Sequence, residues 1–99
     1  MGFRDAKRQL IECLSDGRID HELERSEIDV KNLLVTGTAS AVEVADVIRR
    51  CRGNEYECRP HHFDGTIDVH IVKTSHGGRS WYIKWYFLDP NAVFISVRA

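Results

Sequence analysis

Apolar residues at Phe3, Ala6, Leu10, Cys13 and Leu14 recur at intervals of three and four, with Arg4, Asp5, Lys7, Arg8, Gln9 and Glu12 between them. That spacing lines one side of a helix and predicts an amphipathic helix over about residues 3–16. Gly17 ends it, because glycine takes the left-handed backbone of a C-cap at little cost. A second helix, about residues 41–51, is announced by Ser40 and Glu43, whose spacing is that of a capping box. Val44, Val47, Ile48 and Cys51 form its apolar stripe, and Gly53-Asn54 breaks it. Between the helices Ile19, Leu23, Ile28, Val30, Leu33 and Leu34 fit neither period. Residues 18–37 therefore stay open between a strand and a short helical connection.

After Glu55 the texture changes to strands: EYECRPHHF, TIDVHIVKT, SWYIKWYFL and AVFISVR. Asp64-Gly65, Ser75-His76-Gly77-Gly78 and Asp89-Pro90-Asn91 supply the turns, which predicts a four-stranded antiparallel meander. The fold class expected is α+β, with N-terminal helices packed on that sheet. In the third strand Trp81, Ile83, Trp85 and Phe87 make an apolar face, and Tyr82, Lys84, Tyr86 and Leu88 make a mixed one. In the second, Ile67, Val69 and Ile71 form one face, and Asp68, His70 and Val72 the other. The apolar face is expected against the helices, leaving a polar face able to carry a site.

At 99 residues the chain fits one domain, residues 1–99, and is too short for two independent cores. No stretch has the continuous apolar character of a signal peptide or membrane span, which points to a cytoplasmic protein. Cys13, Cys51 and Cys58 are an odd number, as expected of free thiols in a reducing compartment. Charge is divided unevenly. Residues 1–30 carry five Lys/Arg against eight Asp/Glu, whereas residues 31–99 carry nine against seven. Only a local patch on the C-terminal part could meet phosphates, so a globally basic nucleic-acid surface is excluded.

The polar face collects Tyr82, Lys84, Arg98 and His70, with Arg59, His61 and His62 near the first strand. RNA cleavage by the ribose 2′-hydroxyl needs a group to remove its proton, a group to protonate the leaving 5′-oxygen, and cations for the phosphorane charge. Histidine, tyrosine, lysine and arginine supply these roles without a metal or other cofactor. A solvated face of any small domain also collects such residues, and the pair His61-His62 reads equally as a plain loop after Pro60. His21, among acidic residues, reads as a surface ion pair. Zinc is the competing chemistry, but C-x6-C-x2-H-H departs from the closely spaced cysteines of a structural site. Cys58 as a nucleophile lacks an identifiable partner. Trp81 and Trp85 read as core, and Tyr82 and Tyr86 as the better base-stacking candidates.

The pieces LIECLSDGRI, VEVADVIRRC, NEYECRP, WYIKWYF and FISVRA follow one another in an order that resembles the MqsR-type toxins of bacterial toxin–antitoxin pairs and, more loosely, the RelE-like ribonuclease fold. The resemblance implies a ribonuclease whose catalytic tyrosine falls on Tyr82, the lysine two residues later on Lys84, and the terminal lysine on Arg98. The family's lysine after the second helix falls at or beside Cys58, with Arg59 the nearest substitute. Its strand-two glutamine lands near Ile67, leaving His70 as the polar group of that strand. His62, Tyr86 and Lys73 are the candidates for contacting RNA. Two functions follow as expectations: a metal-independent endoribonuclease toxin acting on RNA and held by an antitoxin protein, or an antitoxin-like or immunity-like binding module that uses a sheet edge or the acidic first third.

Overall fold

The computed structural model describes residues 2–22 and 32–99. Helix α1 runs Phe3–Asp16 and buries Ala6, Leu10, Cys13 and Leu14, the stripe its spacing predicts. Gly17 closes it at φ 73°, where its N–H donates to the Cys13 carbonyl. The chain then extends as β1, Ile19–His21. It reappears at Asn32, which caps a single helical turn, α2 (Leu33–Thr36), by accepting from the Leu34 and Val35 amides. Of the segment left open in the sequence, residues 23–31 lie outside the described residues. Helix α3, Ala41–Arg50, starts where Ser40 Oγ accepts the Glu43 amide at 3.1 Å, and buries Val44, Ala45, Val47 and Ile48.

Four longer strands follow a 3-10 turn: β2 (Tyr56–Pro60), β3 (Asp68–His76), β4 (Arg79–Leu88) and β5 (Asn91–Arg98). The β3–β4 hairpin closes on Gly77-Gly78, with φ of 61° and 77°, the backbone that a two-residue type I′ turn demands of both positions. The antiparallel meander is as expected, but the sheet is larger. Among the described residues it has five strands in the order β1-β5-β4-β3-β2, and β1 lies parallel to β5 through Ile19–Ala92 and His21–Phe94. Three residues are too few to display a period of two, and the partner of β1 is remote in sequence, so this strand left no pattern to read.

Helices α1 and α3 cover one face of the sheet, against Val72, Trp81, Ile83, Trp85, Ala92, Phe94 and Val97. On β4 the apolar face is the one predicted. On β3 it is the opposite one. His70 pairs with Trp85 and Val72 with Ile83, so His70 and Val72 point at the helices, while Val69 and Ile71 lie on the other face beside Tyr86 and Lys84. Both sets of β3 are rich in β-branched residues, which is why alternation alone does not set their direction. The first strand is also shorter than the sequence suggests: β2 stops at Pro60, and residues 61–67 form a loop on the side away from the helices.

Candidate functional site

Strand β4 alternates Tyr82, Lys84 and Tyr86 onto the face away from the helices, and its neighbours add Glu57 and Arg59 from β2, Lys73 from β3 and Arg98 from β5. An irregularity in the β4–β5 ladder pairs Lys84 with Ser96 and Trp85 with Phe94, so Ile95 is the extra residue of a bulge. The loop after β2 closes over this face. Between loop and sheet lies a cleft of about 290 Å³ lined by Glu22, Glu57, Arg59, His61, His62, Phe63, Lys73, Tyr82 and Lys84, with Val69, Ile71 and Ile95 as apolar lining.

Six of the residues singled out in the sequence meet there: Arg59, His61, His62, Lys73, Tyr82 and Lys84. Arg98 stands opposite Tyr82 across the β4–β5 ladder and lays its guanidinium 4.4 Å from the centre of the tyrosine ring, while the Lys73 ammonium lies 5.9 Å from that centre. Tyr86 meets the edge of His61 at 5.0 Å between ring centres. The tyrosines proposed to stack on bases thus already have ring partners.

His70 is on the wrong side of the sheet for the role the sequence suggested. It is 2% exposed and stacked on Trp85 at 5.4 Å, with its Nδ1 2.7 Å from the Tyr56 hydroxyl. Burial lowers the affinity of its imidazole for a proton and holds the Tyr56 phenol above its usual pKa. The pair is a neutral, hydrogen-bonded part of the core. His21 is corrected in the same way: its Nδ1 is 3.0 Å from the Asn32 amide nitrogen, and burial again favours the neutral ring. Asn32 itself is fully buried, and its carbonyl oxygen is committed to the α2 amides, so its NH2 donates to His21.

One cleft residue, Glu22, escaped the sequence reading, and it is the partner of His61, which that reading left between a polar-face donor and a plain loop residue. His61 Nδ1 accepts the Phe63 amide at 3.0 Å, which leaves the ring proton on Nε2, 3.3 Å from a Glu22 carboxylate oxygen. Both side chains are largely buried, at 10% and 16% exposure, so this is no casual surface pair. It ties the loop to the end of β1. Nothing local distinguishes His61 from His62; only the direction of the loop does.

The charges on the cleft are not equivalent. Glu57 holds Arg59 at 2.9 Å and Lys73 at 3.7 Å, whereas the Lys84 ammonium has no hydrogen-bond or ion-pair partner among the described residues. A half-buried, uncompensated ammonium attracts an anion more strongly than a paired one on the rim. The thiols lie elsewhere: Cys13 and Cys51 are buried with raised pKa values, chiefly through burial, and Cys58 is exposed on β2. Among the described residues no group of three or more His, Cys, Asp or Glu is placed to hold a metal ion, and no helix is long and apolar enough to cross a membrane. No family model matches the chain, and no curated protein matches it. The chemistry of the cleft has to be argued from its own residues.

Proposed function

We propose that the protein is a metal-independent endoribonuclease, acting in the cytoplasm as the toxin of a toxin–antitoxin pair. The observation that carries this reading is the projection of Tyr82 and Lys84 from one strand into the cleft that also holds Arg59 and His62. A phosphodiester seated there meets the Lys84 ammonium and, with Glu57 shared or displaced, the Arg59 fork. With His70 under the sheet and both nitrogens of His61 engaged, His62 is the imidazole left to take the 2′-hydroxyl proton. The 2′-oxygen then bonds to phosphorus, and the P–O5′ bond breaks. The Tyr82 hydroxyl supplies the proton to the leaving oxygen, and Lys84 and Arg59 offset the extra charge of the phosphorane. The products are a 2′,3′-cyclic phosphate and a 5′-hydroxyl.

The test is incubation with mixed-sequence RNA in EDTA, alone and with ribosomes, resolving fragments and their ends. Cutting that leaves cyclic phosphates, reduced on the order of a hundredfold in Tyr82→Phe, supports the reading. Intact RNA under both conditions sinks it. The alternative, a protein-binding module without nuclease activity, draws on Glu57, whose carboxylate neutralises two cations of the same cleft. That reading calls for tight, salt-sensitive association with a basic protein and no cleavage.

A further inference from the structure

We infer that Phe63 is the platform on which one nucleobase of a single-stranded RNA stacks, next to the phosphate held at Lys84; this rests on the ribonuclease reading. Phe63 is 70% exposed and is the one aromatic among the large apolar side chains left in water by the described residues. Its position is built rather than loose. The His61 amide donates to the Ile67 carbonyl at 2.8 Å and the Ile67 amide to the Asp64 carbonyl at 3.1 Å, closing the loop at its base. His61 Nδ1 receives the Phe63 amide itself, and Asp64 Oδ1 receives the amide and hydroxyl of Thr66 at 3.0 and 2.6 Å. With the Asp64 amide also donating to His61 Nδ1 at 3.4 Å, six hydrogen bonds hold a loop that keeps a phenyl ring in solvent.

Ring geometry and charge say what that phenyl suits. His62 meets Phe63 in a T-shaped contact at 4.8 Å and His61 lies tilted to it at 6.1 Å, yet the ring stays 70% exposed, which leaves room for a stacked partner. The same side chain lines the cleft that contains Arg59 and Lys84. A flat apolar surface beside cations matches a nucleotide, whose base has a π-face and whose phosphate carries the charge. Tyr82, with Arg98 over its ring, and Tyr86, with His61 against it, are half-buried, whereas Phe63 is exposed. Stacking is indifferent to base identity, so Phe63 adds affinity and fixes the register of the strand in the cleft without reading its sequence.

The experiment uses 2′-O-methyl RNA oligonucleotides, which lack the attacking hydroxyl, with a single 2-aminopurine moved along the strand and a terminal fluorescein to report binding. Quenching of 2-aminopurine at one position should vanish in Phe63→Leu, with binding weakened about tenfold, and return in Phe63→Trp. Cleavage of unmodified RNA by Phe63→Leu should fall in kcat/KM by a similar factor while still leaving cyclic phosphate ends. If the oligonucleotides bind but no position is quenched, or Phe63→Leu binds and quenches as the unsubstituted protein does, stacking at Phe63 is overturned and the ribonuclease reading stands. If none binds and unmodified RNA also stays intact, both are overturned.

Discussion

The two faces of the sheet exclude water by different means. Under the helices, Trp85, Phe94 and Ile83 are fully buried among other apolar side chains, and the polar His70 is admitted only with its Tyr56 partner. On the other face Val69 and Ile71 are almost as well buried, at 3% and 4%, yet their cover is a loop and the stems of ionisable residues. The helix side converts burial into stability. The cleft side sets half-buried Tyr82 and Lys84 over an apolar floor, where weaker solvent screening strengthens the Lys84 charge, and keeps Arg59 and His62 exposed at the rim.

Substitutions on the two sides should therefore separate stability from activity. The largest effect belongs to Phe94→Ala, which removes a ring from the helix side and should cost about 3–5 kcal/mol in denaturant unfolding; a loss under about 1 kcal/mol would mean that this side is not the structural one. Lys84→Met, on the cleft side, should lower cleavage on the order of a hundredfold and shift unfolding by less than about 0.5 kcal/mol. Comparable losses in both assays would remove the distinction.

Acidity sharpens the same contrast. Burial lowers the folded-state pKa values of His70 and His21, so the unfolded chain takes up protons that the native one refuses. Their contribution is complete above the ordinary histidine value of about 6.5 and is lost as pH falls below it. Thermal midpoints should drop between neutral pH and about pH 5.5, a range above the ordinary carboxylate pKa values. The drop should shrink in His70→Leu; a drop equal to that of the unsubstituted protein would contradict the assignment. The smallest effect is expected from Glu57→Gln, which frees Arg59 and Lys73 from an exposed carboxylate. RNA affinity at low salt should rise by no more than about fivefold, with a steeper salt dependence. Weaker binding would show that Glu57 itself contacts the RNA.

What could be read in advance follows the range of the interactions. Helices α1 and α3 were legible because Gly17, Ser40 and the three-and-four spacing act within a turn of backbone. Strand β4 was legible because Trp81 to Phe87 alternate sharply with Tyr82 to Tyr86, and that alternation places Tyr82 and Lys84 together. The direction of β3 was not legible, since Val-His-Ile-Val offers apolar residues to both sides and only pairing with β4 decides between them. That single ambiguity put His70 on the wrong face. The His61–Glu22 bridge and the β1–β5 pairing join residues far apart in sequence, and no local pattern marks either.

The parallel ladder has a consequence for the order of synthesis. Strand β5 lies between β1 and β4, so Ile19 emerges from the ribosome long before Ala92, the residue it pairs with. Until then β1 lacks its β5 partner, and the β2–β3–β4 meander lacks the strand that presents Phe94 and Val97 to the helices. Nascent chains arrested before Asn91 should be cut readily by protease, whereas chains arrested late enough to carry β5 clear of the exit tunnel should resist it. This placement withholds the cleft as well, because Ile95, part of its apolar lining, arrives only with β5.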